Sequence, residues 1–64
     1  MQDYLVTFTF EDGRETKRVY PALNMEDAAM LATGGARLYG AKEAVITSPD
    51  GQETVKLSIF KSNR

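Results

Sequence analysis

Residues 24–40, NMEDAAMLATGGARLYG, carry the only helical apolar period in the chain, and the rest of the sequence reads as strand around them. Ala28, Leu31, Ala32, Gly35, Leu38 and Tyr39 fall at i, i+3, i+4, i+7, i+10 and i+11, the stripe of a helix buried along one side. Asn24 suits the N-cap, where its side-chain oxygen can accept a first-turn N–H, and Glu26 and Asp27 then sit where the helix dipole favours negative charge. Gly40 suits a left-handed C-terminal cap, with Arg37 in the last turn. The spacing predicts a helix over about 25–39. Within it, Gly34 and Gly35 each cost about 1 kcal/mol relative to alanine. Either the helix breaks there or a contact offsets the penalty; Gly35, on the stripe, is read as letting the axis sit close over a sheet, and Gly34 as tolerated.

On either side lie strands. Residues 3–10, DYLVTFTF, alternate, with Tyr4, Val6, Phe8 and Phe10 on one side and Leu5, Thr7 and Thr9 on the other. Asp12-Gly13 then suggests a two-residue type I′ turn into a second strand over 15–20, ended by Pro21. That register sets Val6 opposite Val19 and Leu5 opposite Tyr20. Beyond the helix, 42–48 reads as a strand, Ser48-Pro49-Asp50-Gly51 as a turn, and 53–61 as a fourth strand with Val55, Leu57 and Ile59 on one side. A three-residue loop would pair Val45 with Val55. The two Asp-Gly turns repeat 38 residues apart, a convergent use of good hairpin residues or a duplicated hairpin. The order β-β-α-β-β makes one α+β domain over 1–64, a four-stranded antiparallel sheet in the order 2-1-3-4 with one helix packed on one face.

Composition narrows function. Among the 64 residues there is no cysteine and no histidine, so a disulfide framework, a thiolate zinc site and the commonest general base are all missing. A non-enzymatic chain with neither metal nor small-molecule cofactor is expected. Eight basic and nine acidic residues, interspersed for a net charge of −1, give neither a duplex-binding footprint nor an acidic coat. No apolar run matches a signal peptide or a membrane span, so the chain as given reads as cytoplasmic, intact from Met1 and without a membrane partner.

Motif candidates give way to plainer readings. Gly35 to Lys42, GARLYGAK, matches a phosphate-binding loop only superficially: the lysine is one place late, no Ser or Thr follows, and the segment closes a helix rather than opening one. Glu26 and Asp27 fit dipole complementation better than acid-base work. Arg14, Lys17 and Arg18 are offset by Glu11, Asp12 and Glu15, as on an ordinary solvated strand. Met25 and Met30 read as gap-fillers at the helix edge.

The sheet face that one helix leaves open is the functional candidate. With the expected registers it carries Leu5, Tyr20, Ile46 and Phe60 among threonines, with Arg18 and Lys56 beside them, and an exposed apolar patch marks a partner.

The run Val19-Tyr20-Pro21-Ala22-Leu23-Asn24-Met25-Glu26-Asp27-Ala28-Ala29-Met30-Leu31-Ala32, a hairpin strand entering an acid-started, alanine-rich helix with a further strand after it, resembles the small phage-encoded inhibitors of bacterial RNA polymerase over residues 4–48. The resemblance implies a host-protein-binding role. That family relies on arginines in the strand after its helix, where this chain has Val45, Ile46 and Thr47, so no contact residue carries over. The expected function is a non-enzymatic protein-binding module, a phage or accessory regulator that binds and inhibits a larger host protein, or one that self-associates through its sheet. The alternative is a single-stranded nucleic-acid binder that stacks bases on the open face. A minor enzyme subunit is third.

Overall fold

The computed structural model describes residues 1–59. Strands β1 (Gln2–Thr9) and β2 (Glu15–Ala22) are followed by helix α1 (Met25–Tyr39) and strands β3 (Glu43–Thr47) and β4 (Thr54–Ser58). The sheet order is β2-β1-β3-β4 with every pairing antiparallel, and α1 lies across one face. The α+β fold, element order and strand order all match the sequence reading.

The helix is continuous through both glycines. Asn24 Oδ1 accepts from Asp27 N at 2.8 Å, and Asp27 Oδ2 accepts in turn from Leu23 N at 3.0 Å, so two N–H groups at the helix start are satisfied reciprocally. At the other end Gly40 adopts φ 77 and donates to the Ala36 carbonyl. The buried stripe is rotated from the expected one. Ala28, Ala32 and Ala36 are fully buried, while Leu38 and Leu31 are exposed. A row of methyl groups at i, i+4 and i+8 lets the axis settle onto the sheet; leucines along that line would hold it off.

Both hairpin registers differ from expectation by one residue. In the first, Phe10 N donates to Arg14 O and Gly13 N to Phe10 O, each at 2.9 Å, which closes a three-residue loop. A type I′ turn would force Asp12 as well as Gly13 to positive φ. Only Gly13 takes it, at 92°, while Asp12 accepts hydrogen bonds from Arg14 N and Nε at 3.0 and 2.7 Å and fixes the longer loop. In the second, Ser48 N donates to Glu53 O at 2.9 Å around the four residues Pro49 to Gln52. There Ser48 Oγ donates to Asp50 Oδ1 and accepts from Glu53 N, and Asp50 Oδ1 also accepts from Gln52 N.

One residue of loop turns a strand over. Tyr4 pairs with Tyr20, Leu5 with Val19 and Val6 with Arg18; on the far side Val6 pairs with Ile46, and Ile46 with Val55. Arg18, Tyr20, Ala44 and Ile46, expected on the open face, therefore share the helix face with Val6 and Phe8. Val19 and Val45, expected under the helix, share the open face with Leu5. Strands β1 and β4 face as expected; the longer loops turn over β2 and β3 instead. β2 also continues through Pro21, opposite Asp3, where the sequence reading ended it. Expected strand residues beyond 59 lie outside the described residues.

The core sits between sheet and helix: Tyr4, Val6 and Phe8 from β1, Ala22 from β2, the three helix alanines, Ala41, and Ala44 and Ile46 from β3. Val55, Leu57 and Tyr20 close its sides. At Gly35 the helix sits close against side chains of the sheet. A Cβ there would lie 2.5 Å from Tyr20 Oη and 2.9 Å from Phe8 Cζ, whereas one at Gly34 would meet nothing within 4 Å. The contrast expected between the two glycines is present.

Candidate functional site

The six residues proposed from sequence do not form one patch. Leu5 and Lys56 are on the open sheet face, where Lys56 Nζ reaches Glu43 Oε2 at 3.3 Å. Ile46 is fully buried in the core, so a partner cannot touch it. Tyr20 is half-buried on the helix face, edge-to-face with Phe8 at 6.3 Å between centroids. Arg18 is exposed on the same face, its guanidinium 5.2 Å from the centre of the Tyr39 ring. Phe60 lies outside the described residues. The physical reason is the longer loops: the first moves Tyr20 and Arg18 from the open face to the helix side, and the second moves Ile46.

What remains on the open face is modest. Leu5 is 37% exposed and Val19, its neighbour across β2, 58%. Val45 is half-buried there, among Thr7, Thr47, Lys17, Lys56 and Glu43. Among the described residues this face presents no aromatic ring.

A second apolar surface runs along the helix; the sequence reading placed its leucines on the buried stripe and Met30 at the helix edge. Leu38 is 78% exposed, Met30 71% and Leu31 40%, with the exposed Gly34 between them. Its position follows from the buried row. Gly35 rests on Tyr20 of β2, an edge strand, and Leu31 and Leu38, at i−4 and i+3 from Gly35, lie one step further round on the side away from the alanine row. This flank therefore overlooks the free edge of β2. The sequence signal that could have found it is the i, i+4, i+8 alanine row, which competes with the leucine stripe and suits close packing better.

At the foot of the flank is an aromatic cluster: Tyr39 stacks edge-to-face on Phe8 at 5.6 Å, and Arg18 covers Tyr39. Burial pushes the Tyr20 hydroxyl above its ordinary value; nearby Tyr39 adds to this and Arg18 opposes it. The two turn carboxylates go the other way. Asp12 is held below the usual range, first by the Arg14 N–H and then by the guanidinium, and Asp50 by the Ser48 hydroxyl and the Gln52 N–H. Both serve their turns. Two shallow hollows of about 210 Å³ flank these turns, one lined by Phe10, Arg14, Glu15 and Thr16, the other by Gln2, Tyr4, Ser48, Pro49, Asp50 and Glu53. Among the described residues no group of three metal-ligating side chains converges, and no helix is long and apolar enough to cross a membrane. No protein family, characterised relative or solved structure matches the chain.

Proposed function

We propose that this chain is a non-enzymatic protein-binding module, a small regulator that occupies a surface on a larger protein. The observation that carries this reading is the helix flank. Leu38 and Met30 stay largely in water although the core beneath is closed by Ala28, Ala32 and Ala36 without them. Folding does not need these side chains buried, and exposed apolar groups, with Leu31 and Leu38 beside an open strand edge, suit a partner. The single-stranded nucleic-acid reading has less support, since Tyr20 and Tyr39 pack on Phe8 rather than standing on the open face as stacking platforms.

The test is affinity capture from a lysate of the encoding organism, with wild type and a Met30→Glu/Leu38→Glu variant as baits. The reading expects a protein that wild type retains and the variant loses, while the variant's thermal midpoint stays near that of wild type. Equal capture by both baits, or capture of nucleic acid that salt removes, overturns it.

A further inference from the structure

We infer that the flank and the free edge of β2 form one groove, and that its occupant is an acidic, extended segment of a partner protein that adds as a fifth strand. This rests on the protein-binding reading and specifies its mode. In an antiparallel ladder, successive residues of a strand turn their N–H and C=O groups alternately to one neighbour and the other. The bond from Phe10 N to Arg14 O sets the phase of the β1-β2 pair. Thr16, Arg18 and Tyr20 accordingly turn their backbone groups towards β1, and Glu15, Lys17 and Val19 turn theirs outward from the sheet. Pro21 follows in the outward series, which explains why a residue without an N–H is accepted inside an eight-residue strand. Among the described residues the edge thus offers three unpaired N–H groups, at alternate positions, with the carbonyls beside them, a template that an extended chain can complete.

The side chains around that edge define the occupant. A strand added there would run about 4.8 Å beyond β2. Its side chains on the helix side would stand next to Arg18 and Tyr20 and beneath the flank of Leu31 and Leu38. Those on the other side would stand next to Lys17 and Val19. Arg18 and Lys17 appear in no ion pair among the described residues, whose pairs are Arg14 with Asp12 and Lys56 with Glu43. Apolar side chains under the leucines, with a carboxylate reaching Arg18 or Lys17, match this pattern in shape and charge. A second copy matches it less well. An antiparallel pairing of β2 with itself centred on Lys17 or on Arg18 sets like charges face to face, one centred on Thr16, which pairs Glu15 with Lys17, overlaps the strand only from Glu15 to Lys17, and one centred on Val19 sets Lys17 against Pro21, which has no N–H to return, so that a ladder bond is lost at each end. The opposite edge offers less: β4 has five residues, and the helix flank nearer to it presents the small residues Ala29 and Thr33.

The probe is a displayed library of random nine-residue peptides selected against the full chain, followed by titration of a synthesised winner into isotope-labelled protein. Enriched peptides should alternate apolar and polar residues with Asp or Glu among the polar ones. Binding should shift the Glu15, Lys17 and Val19 amides and slow their exchange more than those of Thr16 and Arg18. Arg18→Glu, Leu38→Glu and Lys17→Pro, the last of which removes one outward N–H, should each weaken the peptide at least tenfold. Arg18 and Leu38 are exposed, so those two variants decide the matter even if Lys17→Pro unfolds. The proposal is overturned if no peptide is enriched, if the winners leave the outward amides unshifted, or if Arg18→Glu and Leu38→Glu bind as wild type does. Broadening of those amides with protein concentration alone would assign the edge to a second copy instead. A lysate partner still captured by the Arg18→Glu and Lys17→Pro proteins would leave the protein-binding reading standing and the strand-addition mode refuted.

Discussion

Replacing Gly35 by alanine sets two local effects against each other, and the contacts in the structure weigh against the gain. Helix propensity alone favours alanine by about 1 kcal/mol. The new methyl would sit 2.5 Å from Tyr20 Oη and 2.9 Å from Phe8 Cζ, where ordinary contact begins at 3.4 Å. Tyr20 is half-buried at the edge of the sheet, and its ring can swing outward. Phe8 cannot yield so easily: it is fully buried, with the rings of Tyr20 and Tyr39 set edge-on against it. Overpacking of this kind costs about 1–3 kcal/mol, so Gly35→Ala should be destabilising by about 0–2 kcal/mol net. Gly34→Ala meets nothing and keeps the propensity gain of up to about 1 kcal/mol. In urea the two midpoints should move apart with unchanged slope, and each kcal/mol should appear as a shift of about 4–8 °C in thermal midpoint for a domain of this size. Tyr20→Phe, which removes the closer of the two atoms, should recover part of the Gly35→Ala loss. A Gly35→Ala protein as stable as the Gly34→Ala protein would mean that helix and sheet do not approach as described.

Asn24→Ala removes the acceptor for Asp27 N and should cost about 1 kcal/mol, read by chemical denaturation. Phe8→Ala should cost about 3–5 kcal/mol, whereas Leu38→Glu should leave stability within about 0.5 kcal/mol; comparable losses from both would place Leu38 in the core. At high pH the raised Tyr20 value makes ionisation harder in the folded state than in the unfolded one. The stability this represents is fully present below the ordinary value of 10.0 and falls as pH rises past it, and Tyr20→Phe should flatten that alkaline limb in a series of thermal midpoints. At low pH the sign reverses. Asp12 and Asp50 are depressed from 3.8, so their stabilisation is present above that value and is lost as pH falls below it, less so in Asp50→Asn.

The helix was legible because its signals are local. Asn24, the acidic first turn and Gly40 act through neighbouring atoms, so the residue types name the ends without knowledge of the tertiary fold. Which side of it would be buried was less legible, since Leu31, Leu38 and the alanine row are all apolar and lie on adjacent sides. Hydrophobicity votes for the leucines. Distance decides for the alanines, because Gly35 has to come within reach of Phe8 and Tyr20.

Loop length explains the rest of the discrepancy, and it bears directly on function. β2 and β3 offer little alternation to fix their own facing: in Glu43-Ala44-Val45-Ile46-Thr47 both sides are partly apolar, and β2 mixes Arg18 and Tyr20 on one side with Lys17 and Val19 on the other. Their orientation is set instead by the turns, where Asp12 accepts from Arg14 and Ser48 closes on Asp50 and Glu53. The extra residue in the first loop moves Tyr20 onto Phe8 and sends Val19 to the open face. It also leaves Arg18 beside the helix flank rather than on the open sheet. The same shift that dissolves the expected patch therefore assembles the proposed groove at the edge of β2, with its backbone donors, Lys17 and Arg18 in no ion pair among the described residues, and the leucines of α1 above them.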